Sequence, residues 1–524
     1  MKIDAGNVNA VPSKRLFLSI IADYDLNRSI CELIDNGLDV WTRAGRRQPI
    51  VIDVHLDPDE QSICVEDDAG GLPREDLGVI VGPGQSGSVA TAHETIGIFG
   101  VGTKRAVVAL AKQIVITTRY QHAETFQIGF DESWLNDEDW VLKVHQVDDL
   151  PVGTTRVELY QLRLLLDDDN IKMLRHHLSA TYANFLTNPA VMIRLNTVPL
   201  EPRFFDNWAY PPEGSPQRWS GPMRTPSGKL LRVDVIAGLS KESSPATGDY
   251  GVYFYCNNRL VAPAMKSFEV GFTRGQAGLP HPKVSLTKVI VSLNGDADEM
   301  PWNSSKSDVS TKHHVFTALH DWLVTVVKHY ATLSRTWEGQ WPEKVFVYDD
   351  GDITFNEVDD FLTAKRAVLP NLPVVRPRLP VRITKANSGV AQAKPYVVGL
   401  YEGVVAARTL VKQDLSQRNW LAFNLLDVSL TGALKEYLVN DAGAELSSLD
   451  LAQLINRDRT VSADLRARVP LPDPLWTKVE QMGRLRHDLT FGRAAPKISD
   501  EQLAAADAIV SEVLARLFDV KLAA

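Results

Sequence analysis

Apolar residues along residues 11–200 recur at two different spacings, one typical of helices and one of strands. Residues 11–46 have a helical pattern, with apolar positions at Leu16, Ile20, Ile30, Leu33 and Ile34. Residues 48–56 alternate, with Val51, Val54 and Leu56 among polar neighbours, which predicts a strand paired with residues 62–65. The same reasoning predicts strands at 114–119, 125–130, 141–147 and 155–159 and a helix at 173–186, and residues 191–200 close the first domain.

The pattern changes towards the C-terminal end of the chain. Strands are predicted at 232–238, 251–261 and 284–293, followed by a helix at 315–330. From about Tyr396 the pattern is helical, with one apolar stripe formed by Leu426, Leu430, Leu434 and Leu438. Ser499 and Gln502 have the spacing of a capping box that begins a last helix. Its apolar positions are Leu503, Ala506, Val510, Val513, Leu514 and Leu517.

A polar pair interrupts the first helical pattern, in C-E-L-I-D-N-G-L-D at residues 31–39. Glu32 and Asn36 are four residues apart, so they share one face of a helix. A carboxylate within hydrogen-bond reach can take a proton from a water, and an amide oxygen is a suitable Mg²⁺ ligand. Taken alone, such a pair is more typical of a solvated helix face.

Glycine-bearing stretches follow that helix. In S-I-C-V-E-D-D-A-G-G-L, residues 62–72, a strand pattern leads into acids and glycines, so Asp67 could accept a hydrogen bond from an amine such as adenine's. In G-I-F-G-V-G-T-K, residues 97–104, a glycine loop opens a helix and presents N–H groups to phosphates, with Lys104 as a nearby cation. Residues 78–95 are rich in Gly and Ser, which fits a mobile lid or a plain surface loop.

The order and spacing of these stretches resemble the Bergerat-fold (GHKL) ATPases, a family that includes gyrase-type topoisomerases, a heat-shock chaperone, histidine kinases, MutL and MORC proteins. Glu32 and Asn36 match the family's E-x-x-x-N box, and Asp67 and Gly71 match its D-x-G-x-G box, with Ala69 in place of the first glycine. The second glycine box and the later G-T segment are matched by Gly97, Gly100, Gly102 and Lys104, and by Gly153 and Thr154. The resemblance spans roughly residues 10–345 and looks most like MORC and MutL.

This resemblance implies a role for each matching residue. Glu32 would be the general base, Asn36 a magnesium ligand, and Asp67 the adenine contact, with ATP and Mg²⁺ as ligands. In the family, a lysine of the second (transducer) domain reaches the γ-phosphate, and Lys306 in N-S-S-K-S-D matches it. The implied phosphate-binding residues are Gly97, Gly100, Gly102, Lys104 and Thr154.

The C-terminal helical region resembles HEPN domains, whose ribonuclease members carry an R-N-x-x-x-H motif. Arg486 and His487 match the start of that motif in residue type, but Phe491 stands where the catalytic histidine belongs. We therefore predict no ribonuclease activity. His487 is either a structural histidine or an RNA contact, and a docking or dimerisation module is the favoured interpretation.

Length and composition bound the organisation of the chain. Its 524 residues suffice for about three domains. We predict an α+β protein: a Bergerat-fold ATPase domain with helices on a mixed sheet at 1–200, a transducer α/β domain at 201–345, a linker at 346–395 and an all-α bundle at 396–524. The linker is acidic and then basic, and Pro370, Pro373, Pro377 and Pro380 predict that its second part is stiff and not helical.

Charge and cysteine usage narrow the range of partners. The net charge of −9 excludes a general basic field, so DNA binding would need a local patch, for which the candidates are Arg366, Arg376, Arg378, Arg382 and Lys385. The alternative is a linker with balanced charge. Three widely spaced cysteines (Cys31, Cys64 and Cys256) indicate reduced thiols and a cytoplasmic protein. No apolar run has the length of a membrane span, so no membrane association is expected.

The expected function is that of a MORC/MutL-like ATPase whose homodimerisation is controlled by ATP and which clamps DNA or a protein partner. The family's prokaryotic members suggest a role in bacterial genome defence. Two other classes stay open: a chaperone-like ATPase acting on protein clients, and a signalling scaffold that binds ATP without turnover.

Overall fold

A computed structural model describes the chain at residues 14, 24–81, 94–97, 102–243, 248–364, 366–373, 379–456, 460–493 and 497–522. The chain divides into two compact units, Met1–Pro373 and Val374–Ala524. The first unit contains two β-sheets with helices, and the regular structure of the second unit's described residues is all helical. The prediction of an α+β fold with a helical C-terminal region is confirmed.

Within the described ranges, the first sheet has eight strands: β1 (Ile50–Asp57), β2 (Ser62–Asp67), β3 (Ala111–Arg119), β4 (Thr125–Asp131), β5 (Val144–Val147), β6 (Thr155–Leu162), β7 (Val191–Leu195) and β8 (Val198–Pro199). Their order is β5-β4-β3-β6-β2-β1-β7-β8. The sheet is mixed, because β1 pairs in parallel with β7 and antiparallel with β2. The predicted pairing of β1 with β2 is therefore confirmed.

Side chains along β1 alternate between the core and the other face of the sheet, as the period of a strand requires. Ile50, Ile52, Val54 and Leu56 are all buried, whereas Val51 is only half-buried. Val51 therefore does not share the core face with Val54 and Leu56.

The helices of the first unit are α1 (Leu26–Arg43), α2 (Leu77–Val81), α3 (Gly102–Leu110), α4 (Glu132–Asn136), α5 (Asp168–Thr181), α6 (Ala183–Leu186) and α7 (His314–Thr336). α1 packs against α3, α5 and the strands β1 and β2. It begins after Asp25, whose side chain accepts a hydrogen bond from the N–H of Arg28 and so caps the helix. The predicted helix at 11–46 is thus confirmed at Leu26–Arg43, and residues 11–13 and 15–23 lie outside the described residues.

The second sheet contains β9 (Trp208–Ala209), β10 (Gln217–Arg224), β11 (Leu230–Ser240), β12 (Gly251–Cys256), β13 (Arg259–Met265), β14 (Thr287–Asn294) and β15 (Thr354–Glu357). Its order is β13-β12-β14-β11-β10-β15, with β9 paired to β11. α7 packs against β11 and β14 and covers the core of this sheet.

The prediction of one continuous strand at 251–261 is wrong. β12 and β13 form an antiparallel hairpin in which Cys256 faces Arg259. The turn residues Asn257 and Asn258 have φ values of 47° and 67°. Asparagine tolerates this left-handed conformation better than most residues, and a tight hairpin turn of this kind needs it at both central positions.

The region predicted as a linker, 346–395, contains regular structure. β15 extends the second sheet by pairing in parallel with β10. The prediction that the proline-bearing tract is not helical is wrong at its end, where a helix covers Leu379–Ala386. Pro380 lies in the first turn of that helix, where a missing N–H costs no hydrogen bond. Arg376 and Arg378 of the basic tract lie outside the described residues.

The helices of the second unit are α8 (Leu379–Ala386), α9 (Ser388–Ala393), α10 (Val398–Leu410), α11 (Arg418–Glu436), α12 (Ser448–Ile455), α13 (Ala463–Arg468), α14 (Asp473–Phe491) and α15 (Asp500–Phe518). α11 packs against α10 and α15. The predicted leucine stripe is buried at every position, and so are the apolar positions predicted for the last helix. The capping box of Ser499 and Gln502 is present at the start of α15.

None of the helices among the described residues is long and apolar enough to cross a membrane. The three cysteines are free thiols, buried at Cys31 and Cys256 and half-buried at Cys64.

Candidate active site

One face of α1 carries a row of polar side chains that are mostly buried. Glu32, Asp35 and Asp39 are each less than 5% exposed, whereas Asn36 is exposed. Their spacing of three or four residues places them on the same side of the helix. Buried carboxylates are costly unless they are paired, so the partners of this row define a site.

Glu32 is paired with Lys306. The Lys306 Nζ atom lies 2.8 Å from Glu32 Oε2, and both side chains are at most 4% exposed. Gly102, the first residue of α3, lies against the same carboxylate: a Cβ atom at this position would be 2.0 Å from Oε2. Among the described residues, the other oxygen of Glu32, Oε1, is buried and has no hydrogen-bond partner. One oxygen of the Glu32 carboxylate therefore has a charged partner, and the other can accept a further hydrogen bond.

Asp35 connects Lys306 to the second sheet. Its Oδ2 accepts a hydrogen bond from Lys306 Nζ at 3.1 Å, and its Oδ1 accepts one from Arg259 Nε at 3.0 Å. The Tyr182 hydroxyl lies 2.8 Å from Oδ1. Burial alone would raise the pKa of Asp35, but the charges of Arg259 and Lys306 and these hydrogen bonds outweigh it, and the pKa is lowered.

Lys306 remains charged in this setting. Burial would lower the pKa of its amine, but the neighbouring carboxylates of Glu32 and Asp35 outweigh burial and raise it. Two acidic and two basic side chains thus form a closed, charge-balanced group, in which Arg259 is the second cation.

Asn36 is the exposed member of this row and contacts the start of α3. Its amide nitrogen donates a hydrogen bond to Thr103 Oγ1 at 2.8 Å, which links α1 to the first turn of α3. Its amide oxygen is the kind of hard ligand that suits Mg²⁺. Among the described residues, no three His, Cys, Asp or Glu side chains form a group that could hold a metal. This donor set fits an ion that takes one amide oxygen from the protein and its other ligands from phosphate and water, as Mg²⁺ commonly does.

Asp67 ends β2 next to α1. A Cβ atom on Gly37 of α1 would lie 3.2 Å from the Asp67 Cβ atom, so glycine at this position allows a close approach. The surrounding protein removes water from most of the carboxyl group, and this desolvation raises the pKa of Asp67 to about 7 despite a hydrogen bond from the Ala69 N–H. A carboxyl group whose pKa is shifted this far is a candidate ligand-binding group.

The turn after Asp67 is fixed by the neighbouring strands. Gly71 has φ +69°, and a Cβ atom there would lie 2.1 Å from the Arg119 carbonyl oxygen, so only glycine fits without a shift of the backbone. The N–H of Leu72 donates to Thr118 Oγ1 at 2.8 Å. Thr154 is buried beside this turn, and its carbonyl accepts a hydrogen bond from the Arg119 N–H at 2.9 Å.

The segment 94–97 is held by α1 and by the β12–β13 turn of the second sheet. The Asp39 carboxylate accepts hydrogen bonds from the N–H groups of Ile96 and Gly97, both at 2.6 Å. Desolvation outweighs these bonds and raises the pKa of Asp39 to about 6. From the second sheet, Asn257 donates to the Thr95 carbonyl at 2.8 Å. Gly100 and residues 82–93 of the predicted lid lie outside the described residues.

Lys104, predicted as a cation near the glycine loop, is a buried side chain. It lies on α3 and is 4% exposed, and burial lowers the pKa of its amine to about 8. On the same helix, Arg105 Nη1 lies 3.3 Å from Ser304 Oγ, in the loop that carries Lys306.

The structure thus brings Glu32, Gly102 and Lys306 together and places Asn36 against Thr103. Asp67 ends β2, Gly71 lies in the turn after it, and Thr154 directly precedes β6. Sequence reasoning missed Asp35, Asp39 and Arg259. The two aspartates had a signal, because they continue the helix face of Glu32 and Asn36 at the same spacing. Arg259 had none, since its partner Asp35 lies 224 positions away.

Residues 24–154 match a family model described as histidine kinase-, DNA gyrase B-, and HSP90-like ATPase. The matched region contains α1, β2, the glycine segment and Thr154. It does not include Lys306 or Arg259. The match supports a GHKL-type ATPase domain in this part of the chain, a family that binds ATP with Mg²⁺. No curated protein matches the chain.

Proposed function

We propose that this protein hydrolyses ATP to ADP and phosphate, with Glu32 as the general base. The observation that carries the proposal is the placement of Glu32 on α1, with Lys306 on one oxygen and Gly102 of α3 directly against it. A carboxylate that faces the start of a helix is well placed for a reaction at a phosphate, because helix N-termini bind phosphates.

The chemistry assigned to Glu32 is proton transfer. Its carboxylate takes a proton from a water, and the water oxygen forms a bond to the γ-phosphorus as the bond from that phosphorus to the bridging oxygen of ADP breaks. Asn36 would hold Mg²⁺, which when bound neutralises phosphate charge. Lys306 supplies a second positive charge from the second sheet's side of the site. Asp67 holds the adenine amine through a hydrogen bond, beside Gly71 and Thr154.

This assignment is tested by measuring steady-state turnover and nucleotide binding, both for the whole chain and for Glu32→Ala. The variant should bind a non-hydrolysable ATP analogue within a few-fold of the parent affinity and hydrolyse ATP at least about 100-fold more slowly, the usual effect of losing a general base. Glu60→Ala, an exposed carboxylate between β1 and β2, is the matched control and should hydrolyse ATP normally. Turnover of Glu32→Ala at the parent rate would refute the base assignment.

We further propose a MORC/MutL-like organisation, with an ATPase domain at 1–200, a transducer domain at 201–345 and a HEPN-like helical domain at 396–524, in which ATP drives homodimerisation around DNA or a protein partner. The contact of Lys306 with Glu32 supports it, because a residue outside the matched ATPase region then responds to the nucleotide directly. Light scattering of the chain with ADP and with the non-hydrolysable analogue should give a dimer only with the analogue. Turnover that rises on adding DNA would favour clamping of DNA over action on protein clients.

A further inference from the structure

Arg259 contacts both a side chain and a main-chain group of the catalytic region. Its Nε donates to Asp35 Oδ1 at 3.0 Å, and its Nη1 donates to the carbonyl oxygen of Lys306. Arg259 is 3% exposed and opens β13 directly after the hairpin turn, so the second sheet fixes its position. A guanidinium can make these two bonds at once because its donors form a rigid fork, which an ammonium lacks.

The backbone conformation of Lys306 needs stabilising contacts of this kind. Its φ of 51° lies in the left-handed region, which residues other than glycine rarely adopt. The loop keeps this conformation with a hydrogen bond from the Lys306 N–H to the Asn303 carbonyl and with the Arg259 bond to the Lys306 carbonyl. The direction in which the lysine side chain leaves the loop depends on these contacts.

The charge balance of the buried group also depends on Arg259. Glu32 and Asp35 share Lys306 as a cation. If the Lys306 amine turns towards a phosphate, Asp35 keeps a positive partner only through Arg259. Without Arg259, the buried carboxylates of Glu32 and Asp35 would both attract the Lys306 amine and oppose its movement towards the phosphate.

We propose that Arg259 is a positioning residue for ATP hydrolysis: it fixes Asp35 and the backbone of Lys306, so that the lysine amine can be transferred from the carboxylates to the γ-phosphate. This inference rests on the proposed ATPase function and deepens it. Arg259 itself does not touch the nucleotide. Its loss should therefore lower kcat and leave the affinity for ATP almost unchanged.

The test compares kcat, KM and thermal unfolding of the whole chain with those of Arg259→Lys and of the double variant Arg259→Gln/Asp35→Asn. Arg259→Lys keeps the charge but not the fork, and its kcat should fall about tenfold or more with KM within about threefold. The double variant removes both charges of one pair, so it should unfold near the parent temperature and still have a kcat at least about tenfold lower. Arg218→Lys, on an exposed arginine of the same sheet paired with Asp234, is the matched control.

A parent-like kcat in the double variant would show that Arg259 only stabilises the fold, and the proposal would be overturned. The proposal is also overturned if Arg259→Lys raises KM and leaves kcat unchanged. Glu32→Ala separates this failure from that of the ATPase assignment. If Glu32→Ala abolishes turnover while the Arg259 variants keep it, only the positioning role is wrong.

Discussion

The amine of Lys306 lies 2.8 Å from the carboxylate of Glu32, although 274 positions separate the two residues in the chain. Both are buried, and the lysine also contacts Asp35. In this arrangement the proposed base and the proposed phosphate contact neutralise each other. Binding of a triphosphate would offer the amine a more highly charged partner and release the base for reaction with a water.

Lys306→Met should therefore reduce kcat by at least about tenfold, because it removes a positive charge that acts on the phosphates. It should also destabilise the nucleotide-free protein by about 3–5 kcal/mol, since Glu32 and Asp35 lose a buried partner. Turnover and chemical denaturation measure the two effects. Lys312→Met, on an exposed lysine of the same loop, should change neither; a Lys306→Met protein as stable as the parent would contradict the buried ion pair.

Nucleotide affinity should depend on pH through Asp67. Its pKa of about 7 means that the carboxyl is increasingly protonated as the pH falls below 7, and it then loses its strength as an acceptor for an amine. We expect the affinity measured by calorimetry to fall by up to about tenfold per pH unit below 7. Asp67→Asn should bind ATP weakly at every pH and should not show this titration. An affinity in Asp67→Asn equal to that of the parent would exclude the adenine contact.

The same residue should affect stability with the opposite sign. Burial raises the pKa of Asp67 from its usual 3.8, so the folded state binds more protons than the unfolded state between about pH 4 and 7. The free energy of unfolding therefore decreases as the pH rises through this range. Without nucleotide, Asp67→Asn should have a higher Tm than the parent at pH 8 and an equal Tm near pH 4. Thermal scans at both pH values would detect the difference.

Gly102→Ala should impair turnover although it adds only one methyl group. The new Cβ atom would lie 2.0 Å from Glu32 Oε2, so the carboxylate or the start of α3 must move. We expect kcat to fall at least about tenfold. Gly399→Ala places the same methyl near the start of α10, where nothing lies within 4 Å, and it should leave turnover unchanged. Equal activity of the two variants would show that the site tolerates a shift of Glu32.

Gly71→Ala and Gly228→Ala form a second matched pair, since both residues have positive φ values of similar size, +69° and +85°. Gly228 has free space around it, so its substitution should cost only the backbone strain, about 1–2 kcal/mol. Gly71→Ala would add a clash with the Arg119 carbonyl and should cost clearly more, with a loss of ATP affinity. Denaturant unfolding compares the two variants; equal losses of stability would argue against the tight turn beside Asp67.

The sequence predicted those parts of the site that depend on local spacing. Glu32 and Asn36 could be placed on one helix face because the helical period is regular, and the end of β2 placed Asp67. Lys306 was predicted only through the resemblance to a family. Arg259 could not be predicted, because its partners are brought to it by the pairing of distant strands.

One strand forms through its pairing with a neighbouring strand although the local sequence does not indicate a strand. No strand was predicted at Gln217–Arg224, a stretch that contains the typical turn residues Gly221 and Pro222. Both lie inside β10, paired with Val233 and Arg232. The glycine is required there, because a Cβ atom would lie 1.9 Å from the Val358 carbonyl oxygen at the end of the neighbouring strand. In the sequence, the glycine is the only local sign of such a close backbone approach.

The charge-balanced group limits which fragments of the chain can keep the site intact. A fragment that ends near residue 200 would keep the two carboxylates of α1 but lose both of their cations, together with the Asn257 amide that holds the Thr95 carbonyl. Such a fragment would retain every residue matched by the ATPase family model and still lack part of its own core. A piece that keeps this group must therefore extend past Lys306, and the compact unit Met1–Pro373 contains all of its members.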